Sequence, residues 1–195
     1  ILASTWPRRR HLLGGLGYRF NVCAPRVEES AVTAAMAGRP PEELARELAL
    51  RKAREVSARH PGAAVLAADT VVAAEGRLFG KPAGAREARE MLARLSGREH
   101  VVSTGAAVVS PRGEESYAVS TAVRFFPLSA EEIARYVATG EPLDKAGAYG
   151  IQGLGALLVE EIRGDYFAVV GLPVARVARS LGRLGILPAE NTRKI

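Results

Sequence analysis

Three residues carry charge where the surrounding sequence is apolar or tightly turned, and each could take part in ionic catalysis. Asp69 follows the run Ala63-Ala-Val-Leu-Ala-Ala68 and precedes Thr70-Val71-Val72. A carboxylate there is expected to be partly buried, and burying it is costly unless a cation or a metal compensates. An aspartate just beyond a strand end, satisfied by turn amides, has the same local pattern. Lys52 falls between Leu48 and Val56 at i+4 spacing, with Leu44 one step earlier, so it continues the apolar stripe of a helix. There it either supplies an inward ammonium or snorkels outward. Lys81, between Gly80 and Pro82, lies in a tight loop where backbone can approach a ligand closely. Ser4-Thr5 leads into Pro7-Arg8-Arg9-Arg10, a strand-to-helix junction with three arginines in the first turn. Free N–H groups, the helix dipole and guanidinium forks together make an anion site. Cations at the positive end of a dipole are mismatched, and an anionic ligand relieves the mismatch; solvated surface arginines give the same spacing.

The elements that must position these residues can be read along the chain. The pattern predicts a short strand at Ile1–Ala3, a helix from Pro7 to Gly14-Gly15, and a second strand over Phe20–Cys23. Pro25 to Pro41 reads as loop, with Glu28-Glu29-Ser30 inside it, and Pro41 to His60 as a long helix. A strand covers Ala63–Ala68 and runs into Asp69. Gly76 and Gly80 punctuate a loop, and Ala85–Leu95 is a helix. Two long strands, about Val101–Ser110 and Tyr117–Phe126, turn at Pro111-Arg112-Gly113. Ser129 with Glu132 forms a capping box. A hairpin about Arg163-Gly164-Asp165, joining Leu157–Ile162 to Tyr166–Val170, and a helix from Pro173 complete the pattern. Helices alternating with long strands predict an α/β fold with a mixed sheet.

Composition narrows the class without fixing the function. The chain has 195 residues, 48% hydrophobic and 25% charged, as in an ordinary globular domain. No apolar run approaches the ~20 residues that span a bilayer, and Cys23 is the only cysteine, so no internal disulfide or thiolate zinc cluster is expected. These features favour the cytosol. Residues 1–60 carry 11 positive and 6 negative charges against 16 and 15 in the remainder. That local excess suits a phosphate-bearing partner or reflects arginine usage alone. Gly76 to Pro82 has too few residues between its glycines for a P-loop and proline in place of the metal-binding hydroxyl. Gly150–Gly155 lacks the dinucleotide spacing, and His11, His60 and His100 are expected at the surface or as caps.

Ordered segments along the chain resemble the Maf family of nucleoside triphosphate pyrophosphatases, almost end to end. They are Leu2-Ala3-Ser4-Thr5-Trp6-Pro7-Arg8-Arg9, Glu28-Glu29, Lys52-Ala53, Ala68-Asp69-Thr70-Val71-Val72, Gly80-Lys81-Pro82 and the stretch from Glu141 through Asp144, Lys145, Tyr149 and Gln152 to Gly153. Gly164 to Pro173 closes the set. The resemblance implies a single domain over 1–195, a two-lobed α/β fold like that of inosine triphosphate pyrophosphatases, with the active site in the cleft between lobes. It also implies metal-dependent hydrolysis of a nucleoside triphosphate to the monophosphate and pyrophosphate, and commonly a homodimer. The Gln152 segment is similar to the branch acting on dTTP and UTP, whereas the branch preferring 7-methyl-GTP differs there.

Carried onto this chain, Asp69 is the expected proton acceptor, and Arg8, Thr70 and Gln152 set base selectivity. The chemistry suits that allocation. Water attack at the α-phosphorus needs a divalent cation (Mg²⁺ or Mn²⁺) and a carboxylate to orient or deprotonate the water. Asp69 and Glu29 are the two carboxylates for metal and water. Lys52, Lys81 and Arg9 stabilise the departing pyrophosphate, while Ser4 lies at the phosphate junction. Gln152 presents a donor and an acceptor suited to a uracil or thymine edge. Trp6 departs from the small residue usual at its position. A non-catalytic regulator of septum formation, binding nucleic acid or a division partner, is the rival class. Its basic residues lack interleaved aromatics, and acids sit among the motif residues.

Overall fold

The computed structural model describes residues 1–189. In chain order the elements are α1 (Pro7–Gly15), α2 (Glu29–Ala35), α3 (Pro41–Arg59), β1 (Val65–Ala74), β2 (Arg77–Phe79), α4 (Ala85–Leu95), β3 (Glu99–Ser110), β4 (Gly113–Phe125), α5 (Ala130–Ala138), β5 (Val159–Arg163), α6 (Tyr166–Val170) and α7 (Val174–Arg183). Three 3₁₀ turns cover Glu141–Asp144, Ala146–Ala148 and Leu154–Leu158. The sheet order is β2-β1-β3-β4-β5, and its five strands are antiparallel, so the mixed character expected of the sheet is limited to isolated bridges. Parallel pairing occurs as bridges from Leu2 to Val22 and to Leu66. These bridges stand where strands over Ile1–Ala3 and Phe20–Cys23 were expected.

The chain forms two compact units. The first takes Ile1–Asp69, Thr104–Val119 and the segment from Gly171 onward. Here β1 alternation separates two cores. Leu66 and Ala68 pack with Leu13 of α1 and with Val177 and Leu181 of α7. Val65 and Ala67 pack with Ala49, Ala53 and Val56 of α3. Asp69 has the parity of Val65 and Ala67, so it falls on the α3 side. α3 lies so close to β3 that a Cβ on Gly105 would stand 2.1 Å from the Ala45 carbonyl oxygen; any larger residue there pushes the helix off the sheet.

The second unit comprises Thr70–Ser103 and Ser120–Val170. The loop expected around Gly76 is a hairpin, with Val72 opposite Phe79 and Ala74 opposite Arg77. The Ser129–Glu132 capping box forms as expected and starts α5. Two expectations fail for local reasons. Glu29 opens a seven-residue helix instead of lying in loop. The second arm of the expected hairpin, Tyr166–Val170, is helical because Asp165 caps it. The Asp165 Oδ1 accepts from the N–H groups of Phe167 (2.8 Å) and Ala168 (3.2 Å). The first arm does extend the sheet, as β5 beside β4.

His100 also differs from expectation, being buried rather than a surface or capping residue. It sits edge-on to Phe125 and Tyr149, with Nε2 2.8 Å from the Tyr149 hydroxyl and Nδ1 without a partner. Burial pushes its pKa down from 6.5 to about 4. Between those values the unfolded chain binds a proton that the folded chain refuses, so stability falls as pH drops through this window. Between pH 7 and pH 4.5 His100 alone removes about 2 kcal/mol. Urea unfolding of the wild type and His100→Gln at both pH values checks this, the variant losing less on acidification by that amount.

Candidate active site

Lys52 and Asp69 meet because two periodicities intersect. The four-residue stripe of α3 turns Lys52 inward with Leu48 and Val56, and the two-residue alternation of β1 turns Asp69 to the same side. The Lys52 Nζ donates to Asp69 Oδ1 at 2.5 Å. These side chains are 7% and 11% exposed, so the pair is buried. The ammonium does not snorkel. Asp69 lies within the strand, so turn amides do not satisfy it.

Glu29 completes the group. Its Oε1 stands 2.6 Å from the same Nζ, and its side chain is 57% exposed. One buried ammonium therefore carries two carboxylates, one sunk in the unit and one open to solvent. Glu29 owes this position to α2, the short helix that the sequence pattern did not suggest.

Arg9 adds a second buried cation. Its Nε donates to the Gly171 carbonyl at 2.8 Å and its Nη1 to Ser4 Oγ at 3.3 Å. Burial pulls its pKa below the ordinary guanidinium value, against the fields of Asp69 and Glu29, which raise it, and of Arg8, which lowers it further. For Asp69, burial pushes the carboxyl up, and the nearby Lys52 and Arg9 charges offset this only in part. Such a carboxylate is a stronger base than an exposed one. Ser4 Oγ also accepts from the Trp6 N–H at 3.2 Å. The Trp6 ring faces two cations, with the Arg9 and Arg8 guanidinium carbons 5.0 and 5.6 Å from its centroid. That range gives an attractive cation–π contact, so Trp6 steadies the arginines.

Ser4, Arg9, Glu29, Lys52 and Asp69 thus form one constellation, with Arg8 tied to it through Trp6. Thr70, Lys81 and Gln152 belong to the second unit. Within that unit the Gly80 carbonyl next to Lys81 accepts from the Gly147 N–H at 3.1 Å, which ties the Lys81 loop to the segment leading to Gln152. Lys81 and Gln152 are exposed and Thr70 is half-buried. The sequence reading missed the Trp6 stack on the arginines and a Tyr136–Glu141 pair beside Gln152. Neither follows from a periodicity.

The donor set can be tested for a divalent ion. Among the described residues no group of three or more His, Cys, Asp or Glu side chains converges as a metal cage. The carboxylates of Asp69 and Glu29 converge on the Lys52 ammonium, and one or two carboxylates are what Mg²⁺ takes when substrate phosphates and water complete its shell. The residues fit an ion brought in with a polyphosphate.

The model of the family described as Maf-like protein matches residues 1–184. The chain is 54% identical over 187 residues to a dTTP/UTP pyrophosphatase of Symbiobacterium thermophilum, covering 95% of this chain and 93% of that one. It is 53% identical over 188 residues to the dTTP/UTP pyrophosphatase of Moorella thermoacetica, covering 95% of each. It is 48% identical over 181 residues to that of Halalkalibacterium halodurans, covering 93% of each. Among the described residues no helix is long and apolar enough to cross a membrane.

Proposed function

The chain belongs to the Maf-like family, and from that premise we propose that it hydrolyses nucleoside triphosphates, dTTP and UTP above all, to the monophosphate and pyrophosphate. The observation that carries the reading is the Glu29–Lys52–Asp69 arrangement, two carboxylates on one buried ammonium beside a buried arginine. The names of the relatives support the substrate class.

In this reading Asp69, oriented through Oδ1 by Lys52 and made more basic by burial, accepts the proton of the water that attacks the α-phosphorus. Asp69 and Glu29 would hold the divalent cation, which when bound polarises the phosphates and lowers the cost of charge build-up. Lys52 holds the two carboxylates against their mutual repulsion and adds positive charge where pyrophosphate departs. Arg9, fixed by Ser4, Gly171 and Trp6, presents its guanidinium to phosphate oxygens at low entropic cost. Arg8 and Lys81 add further positive charge, and Thr70 and Gln152, with Arg8, read the base. On the same reading the protein is a single domain built as two lobes, with the inosine triphosphate pyrophosphatase type of fold. It works in the cytoplasm as a homodimer, without a nucleic-acid or membrane partner.

The test is pyrophosphate release from UTP, dTTP, CTP, GTP and 7-methyl-GTP with Mg²⁺, with Mn²⁺ and with EDTA. Turnover is expected with either metal, fastest for UTP and dTTP, and lost in EDTA. Preference for 7-methyl-GTP would keep the chemistry and remove the pyrimidine assignment. Absence of pyrophosphate from every nucleotide would sink the enzyme reading.

A further inference from the structure

The segment carrying Gln152 is held by a carboxylate that no part of the reaction uses. Glu141 opens the first 3₁₀ turn after α5. Its Oε2 accepts from the Leu154 N–H at 2.9 Å, and its Oε1 from the Gly155 N–H at 3.1 Å. The hydroxyl of buried Tyr136 donates to the same Oε1 at 2.9 Å and accepts from the Gly150 N–H at 3.1 Å. The loop around exposed Gln152 is thus tied on both sides by one hydrogen-bonded pair. Two glycines record the fit. A Cβ on Gly153 would stand 2.2 Å from Glu141 Oε2, and one on Gly155 2.6 Å from the Tyr136 hydroxyl. These donors hold the Glu141 carboxyl below the ordinary range, against the burial that would raise it.

We propose that Glu141, with Tyr136, is the positioning residue that sets how selectively Gln152 reads the base. This rests on the role given to Gln152 under Proposed function. An amide discriminates uracil from cytosine only if its donor and acceptor meet a fixed edge, since a rotating amide serves both bases. Fixing Gly150, Leu154 and Gly155 removes the backbone freedom that would let Gln152 swing. Glu141 touches no reacting atom and acts through the loop.

The experiment measures kcat and KM for UTP, dTTP and CTP in the wild type, Glu141→Ala, Glu141→Gln and Tyr136→Phe, with the unfolding temperature of each. The UTP-over-CTP ratio of kcat/KM is expected to fall roughly tenfold in Glu141→Ala, carried by KM for UTP and dTTP, and by less in the other two. A merely structural role would slow all three nucleotides alike and leave the ratio unmoved. A folded Glu141→Ala or Tyr136→Phe protein with the wild-type ratio overturns the proposal. If the alanine variant does not fold, Tyr136→Phe, which removes one hydroxyl, decides. A wild type that hydrolyses the three bases equally overturns the reading of Gln152, and the proposal with it.

Discussion

Asp69→Asn is expected to lower kcat for pyrophosphate release by ~10³-fold while the protein still folds. Asparagine has nearly the shape of aspartate, and its amide oxygen can still accept from the Lys52 Nζ that now bonds Oδ1. What it lacks is the capacity to take a proton at neutral pH. Lys52 keeps Glu29 as its charged partner, so the substitution removes a buried charge without orphaning the ammonium. The unfolding temperature is therefore expected to hold or rise. Turnover within twofold of the wild type would remove Asp69 from the role of base, and loss of the fold would show that its charge is structural.

Lys52→Met gives the largest combined effect. Methionine continues the apolar stripe of Leu48 and Val56 and fills much of the same volume, so the loss is electrostatic. Asp69 is left buried without the ammonium bonded to it, and breaking a buried pair from one side costs about 3 kcal/mol or more. Glu29 and Asp69 also lose the cation between them, and kcat/KM is expected to fall about 10²-fold. The double variant Lys52→Met, Asp69→Asn should recover most of the stability and none of the activity, the non-additivity expected of coupled neighbours. Urea unfolding and steady-state rates on the four proteins check both parts. Additive stability losses would mean that the two residues act independently.

The helix stripe that carries Lys52 was legible in the sequence, because regular elements carry information at regular spacing. The meeting of Lys52 with Asp69 was not, since a snorkelling lysine and a turn-satisfied aspartate share the same local patterns. The stripe Leu44, Leu48, Lys52, Val56 survives folding unchanged, whereas the strand expected to stop at Ala68 runs on to Ala74, and that extension sets Asp69 in register with Val65 and Ala67. Where spacing is irregular the reading lost its grip. Glu29 lies on a helix of seven residues, too short to show a period. Tyr166–Val170 is rich in aromatic and β-branched residues and reads as strand, yet a single aspartate cap decides for helix. The Glu141–Tyr136 pair joins side chains to loop amides up to 14 residues away, a match of shape with no sequence rhythm. His100 lies just outside the expected strand start at Val101, and β3 begins earlier, at Glu99.

Arg9 leans on the carbonyl of Gly171, 162 residues further along the chain. The unit holding both draws on three separate stretches, the last beginning at Gly171. A polypeptide emerging from the ribosome therefore carries Ser4, Arg9, Glu29, Lys52 and Asp69 long before the arginine's anchor exists. Contacts of such span are slow to close, since loop entropy must be met before they reward it. The Gly171 carbonyl that holds the arginine is absent until that last segment has been made. The fixing of Arg9 therefore waits on the last of the three stretches that build its unit.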